Sequence, residues 1–440
     1  MLEVLSNRTY RHLFFAQVIA LLGTGLATVA LSLLAFDLAG ANAGAVLGTA
    51  LAIKMLAYIA VAPVASALAE RLPRRAVLVT LDLVRAGVAL LLPFVTQIWQ
   101  VYVLIFVLQS ASAAFTPTFQ ATIPDVLPDE AAYTKALSLS RLAYDLESLG
   151  SPILAALLLT LVSYHSLFGG TVVGFIASAA LVVSAELPRA KMPPRRSIYE
   201  RTTRGLRIYL ATPRLRGLLA LNLAIAAGSA MVIVNTVVLV QSGFAMTQTA
   251  TAAALACFGA GSMLVALALP RVLDKLPERR VMLAGAAMIA LGLLAGFVLA
   301  SRYAMLLPLW FVLGLGYSLA QTPSGRLLRR SSSDVDRPAL FAAQFALSHA
   351  CWLVTYPLAG WLGARFGVGT SFVALGLLAG VAVLLSAHLW PATDPLELPH
   401  RHDDLVPGHP HLAKDEQNTG STAKHSHPFV IDDEHRHWPD

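Results

Sequence analysis

Long apolar stretches recur along this chain, and that pattern leaves few folds open. Twelve of them lie near 12–38, 44–69, 76–95, 99–121, 136–162, 166–186, 214–241, 247–270, 280–300, 303–321, 339–364 and 369–391. Each is long enough to cross a hydrocarbon core, which takes about 20 helical residues. They are too long and too uniformly apolar for strands. Charged residues make up only 13% of the 440, against roughly 25% in a soluble domain. A chain so poor in charge cannot cover a water-facing surface, so most of its exterior must face lipid. The expected class is an all-α membrane protein of twelve transmembrane helices.

The loops set the orientation. With the N-terminus placed inside, the segments assigned to that side hold 23 Lys and Arg, and the opposite side holds two, Arg302 and Arg365. Positive charge concentrates on the cytoplasmic side of membrane proteins, so both termini are expected there, in a bacterial-type inner membrane. The same loop placement argues against nucleic-acid binding, because no soluble domain is left to carry a basic patch. The run that follows Arg8 and Arg11 is too long for the h-region of a signal peptide and reads as a first span. Cys257 and Cys351 lie inside apolar runs and form no disulfide framework.

The chain repeats itself. Glu70-Arg71-Leu72-Pro73-Arg74-Arg75 follows the second span, and Asp274-Lys275-Leu276-Pro277-Glu278-Arg279 follows the eighth, 204 residues later. Two six-span halves in the same orientation form the parallel-repeat plan of one large transporter class. The expected divisions are a six-helix bundle over 1–186, a basic linker over 187–213, a second bundle over 214–393 and a tail over 394–440.

The stretch Ser66-Ala67-Leu68-Ala69-Glu70-Arg71-Leu72-Pro73-Arg74-Arg75 resembles the loop motif G-x-L-A-D-R-x-G-R-R of the major facilitator superfamily. It departs at Ser66, Glu70 and Pro73. The resemblance implies the major facilitator fold, alternating access, and a conformational latch at Glu70, Arg71 and Arg75, with Asp274 as the counterpart of Glu70 in the second copy. Within the family, Pro117–Asp125 and Asp82–Ala86 resemble the exporter branch that includes macrolide and enterobactin efflux proteins. The run Ser140–Glu147 and the His-rich tail resemble the nickel-resistance permeases.

Ionisable side chains inside a span are costly, roughly 2.5–3.5 kcal/mol each on insertion scales, and usually face a cavity or a partner. Lys54, Arg141, Asp145, Glu147 and His349 are the candidates for transport and coupling, with Cys351 beside them. The 204-residue offset carries Asp145 onto His349 and Glu147 onto Cys351. Carboxylate, imidazole and thiol bind borderline transition metals. Residues two apart lie on different faces of a helix, so one of each pair is expected to face the pathway; symmetry favours Asp145 and His349. Plainer readings stand beside these. Arg141 and Asp145, four apart, can simply pair along their helix. His349 can be a packing residue, and Cys351 a small apolar one. Asp82 and Arg85 suit a structural pair. Lys54 has no acid one turn away and either needs one from another helix or is neutral.

The tail is acidic, polar and Pro-rich, and is expected to be disordered. It holds eight of the twelve histidines as four His-x-His pairs: His400/His402, His409/His411, His425/His427 and His435/His437. In an extended chain the two rings of a pair point the same way and can close on one ion. The resulting expectation is proton-coupled export of a transition metal, nickel first and cobalt second, by a monomer in lipid. The alternative is export of a drug-like or siderophore-like organic molecule, with the tail as a metal sensor. No resident cofactor is expected, the metal being substrate or tail ligand. No nucleophile elbow, phosphate loop or metalloprotease motif suggests an enzyme.

Overall fold

In the computed structural model, residues 2–39, 43–69, 72–188, 196–395, 397–401, 424–435 and 437–439 are described. Among them, twelve helices are long and apolar enough to cross a membrane. The first half contains α1 (Arg8–Ala39), α2 (Ala43–Ala69), α3 (Arg74–Leu91), α4 (Ile98–Val126), α5 (Glu130–Leu159) and α6 (Tyr164–Ser184). A fourteen-residue helix, α7 (Ile198–Ala211), follows. The second half contains α8 (Pro213–Val237), α9 (Gln248–Leu273), α10 (Glu278–Leu299), α11 (Tyr303–Gln321), the short α12 (Ser324–Arg330), α13 (Arg337–Phe366) and α14 (Val368–Leu389).

Helix starts follow local chemistry. Asp129 caps α5 by accepting from the Ala132 amide at 2.7 Å, and Thr247 caps α9 by accepting from Ala250 at 3.3 Å. Pro213 opens α8, where its missing N–H costs nothing. Gly367 joins α13 to α14 with φ +87°, a left-handed angle that glycine adopts without strain.

The halves have separate interiors. One buried cluster of the first half joins Leu26, Ala30, Val101, Leu167 and Phe175. A second joins Tyr10, Leu13, Leu78, Phe119 and Tyr133. The second half packs around Ile225, Met231, Ile289, Trp310, Phe341 and Phe372, and Ala121 of α4 reaches into that cluster. The halves meet where α5 packs on α9, and where α13 packs on α2 and α4. Large apolar side chains such as Leu161, Val173, Leu291, Leu384 and Val381 lie exposed around the outside, as lipid contact requires.

The linker and tail depart from the simplest reading. Residues 187–213 contain α7, whose Gly205 meets the backbone of α13. A Cβ there would lie 2.0 Å from the Ala339 carbonyl oxygen. In the tail, β1 (Glu397–Arg401) pairs antiparallel with β2 (Lys424–Pro428). Phe429 and Ile431 beyond it are buried, at 4% and 6% exposure. The expectation of disorder across 394–440 therefore does not describe these residues. The tail's few large apolar side chains find a surface to bury against, which composition averaged over the segment hides.

Candidate functional site

Midway along α5, which by residue count is near mid-membrane, lie Arg141, Asp145 and Glu147, and the structure separates the two acids. Asp145 is sealed at the contact with α9. Arg141 pairs with one of its oxygens, and the Ser262 hydroxyl donates to the other at 2.7 Å. Only 4% of the Asp145 side chain is exposed. Arg141 also donates to the Tyr317 hydroxyl at 3.2 Å and lies 5.0 Å above that ring. Its Nε is buried without a partner. This is the helical pair the four-residue spacing allows, closed by two groups from the other half.

Glu147, two residues on, points elsewhere. It is half-buried and makes no hydrogen bond or ion pair among the described residues. Its carboxylate lies against α1 at Gly25, where an added Cβ would come within 3.1 Å of Oε1 and collide with Ser151. Glycine here lets the carboxylate and the α1 backbone share one space.

The contact of α2 with α13 is aromatic. The Tyr58 ring stands 4.7 Å from His349 and 4.8 Å from Phe345, and its hydroxyl donates to Gln109 Oε1 at 2.9 Å. His349 lies 4.2 Å from Phe345 and 4.9 Å from Trp352, with Nδ1 2.7 Å from the Phe345 carbonyl oxygen one turn back. Lys54 Nζ sits 5.5 Å over the Tyr58 ring and has no carboxylate within bonding distance among the described residues. Cys351 is half-buried and free. Its helical stripe faces α8, where Gln344 bonds Asn222 and Thr355 donates to the Ala226 carbonyl at 3.2 Å. Asp145, His349 and Cys351 therefore occupy different contacts. Among the described residues, no three His, Cys, Asp or Glu come together as a metal site.

Adding 204 to Tyr58 gives Ser262. The Asp145–Ser262 contact and the His349–Tyr58 contact are thus the same rung of the two inter-half seams. Asp145 and His349 stand out in the sequence by their ionisable side chains, whereas Ser262 and Tyr58 carry no such mark. The offset that paired Asp145 with His349 also pairs their partners. Asp82 and Arg85 are a buried pair, with Ser178 donating to Asp82 at 2.8 Å and the guanidinium over Phe115 and Phe175.

On the basic face, the side holding most Lys and Arg, charged groups tie the halves together. Asp125 at the end of α4 accepts from Arg74 of its own half and from Arg337 of the other. Arg326 bonds Glu278 at 2.9 Å and Thr134 at 2.9 Å, and pairs with Glu130. Arg329 donates to the Pro128 carbonyl. Arg75 donates at 2.5 Å to the carbonyl of Ala185 at the end of α6. Its repeat partner Arg279 caps α14 through Ala387 and Trp390, each at 2.9 Å. Both neutralise carbonyls at the negative end of a helix. Asp274 is exposed, with no side-chain partner among the described residues. Glu70 and Arg71 lie outside the described residues. The sequence signal for Asp125 and Glu130 is an acid on a face where acids add nothing to orientation.

Of the tail histidines, His402, His409 and His411 lie outside the described residues. The β-ribbon register places His400 opposite His425. His427 and His435 have ring centroids 5.1 Å apart. His435 is buried at 4% exposure, with Nδ1 2.9 Å from Asp432 Oδ1, and His437 is exposed. Burial alone would raise the Asp432 carboxyl; its bonds to His435 overcome that and hold it below the usual carboxylate range.

Residues 13–244 and 218–415 match the sequence profile of the family described as Major Facilitator Superfamily. YvqJ of Bacillus subtilis (strain 168), an uncharacterized MFS-type transporter, is 24% identical over 411 residues, 87% of this chain and 93% of YvqJ. Macrolide efflux protein A of Enterococcus faecalis is 24% identical over 153 residues, 32% of this chain and 47% of that protein. The match to YfiS of Bacillus subtilis, 27% identical, spans 35% of YfiS. These last two alignments therefore reach less than half of the relatives' length. The crystal structure of the human organic anion transporter MFSD10 superposes with a TM-score of 0.76 at 12% identity, covering 86% of this chain and 99% of that one. At that identity the likeness is one of fold.

Proposed function

This chain belongs to the major facilitator superfamily, and we propose that it is a proton-driven exporter of an amphipathic organic molecule. Its family and fold are those of multi-pass membrane transporters rather than enzymes. The observation that carries the reading is the carboxylate of Glu147, at mid-membrane with no committed partner, facing α1. A carboxylate so placed can hold a proton or the amine of a substrate, one at a time, which is antiport in its simplest form. The rings of Tyr58, Phe345, Trp352 and Tyr356 supply apolar and cation–π surface for the rest of such a molecule. Similarity to macrolide efflux proteins over part of the chain supports export as the direction. We take the basic face as cytoplasmic on loop charge, with both termini there, in a bacterial-type inner membrane.

Transition-metal export, nickel first and cobalt second, is the second reading, and the observation favouring it is the four His-x-His pairs of the tail. Neutral imidazole suits such ions. At mid-membrane, Asp145 has both oxygens engaged and His349 is walled by aromatic rings, so that reading rests on the tail. Proteoliposomes carrying the full chain separate the two. With a pH gradient imposed, flux of a fluorescent organic cation such as ethidium and flux of radioactive nickel are measured side by side. Ethidium flux that depends on the gradient and on Glu147 supports the first reading. Nickel flux without ethidium flux replaces it with the second.

A further inference from the structure

The end of the chain is seated on the basic face, at the residues that join α7 to both halves. Asp433 binds Arg196 at 2.5 Å and Arg204 at 2.8 Å. The same two arginines bind Asp336, the residue just before the start of α13. Arg204 reaches it through Nε at 3.1 Å and Nη2 at 3.0 Å, and Arg196 at 3.3 Å. Two arginines and two aspartates thus form a closed square between the linker, the second half and the tail. Burial alone would raise the Asp433 carboxyl, and Arg196 and Arg204 overcome that and hold it below the usual range. Between those arginines, Arg201 reaches back to the first half and donates to the Ala67 carbonyl at the end of α2. The helix that carries Arg201 touches both α2 and α13.

Apolar contacts seat the tail on either side of Asp433. Phe429 and Ile431 are buried in the core of the second half. Trp438 meets Phe429 edge to face, with ring centroids 5.1 Å apart, and lies under the Arg214 guanidinium at 4.9 Å. Arg214 also donates to the Phe429 carbonyl at 3.3 Å. Upstream, Asp394 accepts from Trp390 at 3.1 Å and pairs with Arg330 at 2.9 Å.

We infer that residues 424–439 are a strap that holds α7 against α13, and through Arg201 keeps the basic face closed. Opening that face separates the end of α2 from the start of α13. With Gly205 in backbone contact with Ala339, α7 follows α13, so the Arg201–Ala67 bond must break along with the Asp125–Arg337 and Arg326–Glu130 pairs. The strap fixes the arginines flanking Arg201 and resists that break. Asp433 keeps 56% of its side chain exposed, so its ion pairs are individually weak and reversible. This suits a contact made and released within a transport cycle.

The test uses the full chain in lipid nanodiscs, with Cys257 and Cys351 replaced by alanine. Spin labels are placed at Leu72 and Leu276, exposed loop positions of the two halves on the basic face. Asp433→Asn is expected to raise the ratio of long to short distances by roughly fivefold or more. A chain ending at Pro395 is expected to do at least as much. Adding a synthetic peptide of residues 424–440 to that shortened chain should restore the short distance, and the same peptide with Asn at 433 should not. Unchanged distances in both D433N and the shortened chain overturn the strap. So does an Asn-bearing peptide that restores closure as well as the natural one.

Discussion

The two seams between the halves meet the same mid-membrane problem with different chemistry. Where α5 crosses α9, the rung is ionic: Arg141, Asp145 and Ser262, with Tyr317 above. Where α2 crosses α13, the equivalent rung is aromatic: Tyr58 against His349, with Phe345 and Trp352 beside it. The repeat kept the crossings and changed what is carried there. The ionic seam uses its charge internally, and the group left over is Glu147, one face away. The aromatic seam leaves ring surface and one ammonium, Lys54. The pathway proposed above would meet a carboxylate on one wall and π-faces on the other.

Breaking the ionic side should have the largest effect. Glu147→Gln is expected to abolish gradient-driven accumulation while leaving downhill flux, as measured in proteoliposomes with and without a pH gradient. Accumulation at the level of the unaltered chain would mean that Glu147 does not carry the proton. Asp145→Ala should act on the fold first. It strands Arg141 without a counter-charge, at about 3–5 kcal/mol for a buried pair, read as loss of stability in detergent denaturation. A stable protein lacking only transport would move Asp145 from the seam into the pathway.

The aromatic side should respond more gently. Tyr58→Ala removes two ring contacts of about 0.5–1.5 kcal/mol each, so KM for an organic cation is expected to rise roughly tenfold with kcat little changed. His349→Phe keeps the ring packing and should stay within about twofold of the unaltered chain, since volume-conserving swaps are tolerated best. Complete loss of transport in His349→Phe would show that its imidazole does chemistry the packing does not reveal.

Much of this frame was legible before any coordinates. Hydropathy delimits the tenth span at 303–321, and α11 runs Tyr303–Gln321. Others shifted by a few residues, for a physical reason. Hydropathy starts the fifth span at 136, whereas α5 starts at Glu130 behind its Asp129 cap, because hydropathy reports where lipid begins and capping where the helix does. The linker's many arginines conceal, in the sequence, the buried Gly205, Ile208 and Tyr209 of α7. Of Asp145 and Glu147, periodicity established that only one could face a given neighbour. Choosing between them needs Ser262 and Tyr317, which lie more than a hundred residues away and come from the other half. In the tail the histidine spacing drew attention, while Phe429, Ile431 and Trp438, which seat it, form no pattern at all.

The close approach at Gly205 also bears on how far the halves can part. With no room for a methyl group between α7 and α13, α7 travels as cargo of the second half. The leash between the halves is then the stretch from the end of α6 at Ser184 to the start of α7 at Ile198. Drawn taut, those thirteen intervening residues could reach about 45 Å. Covalent connection therefore imposes no stop on the rocking of one half against the other. The excursion is limited by the reversible contacts along the seams and at the basic face.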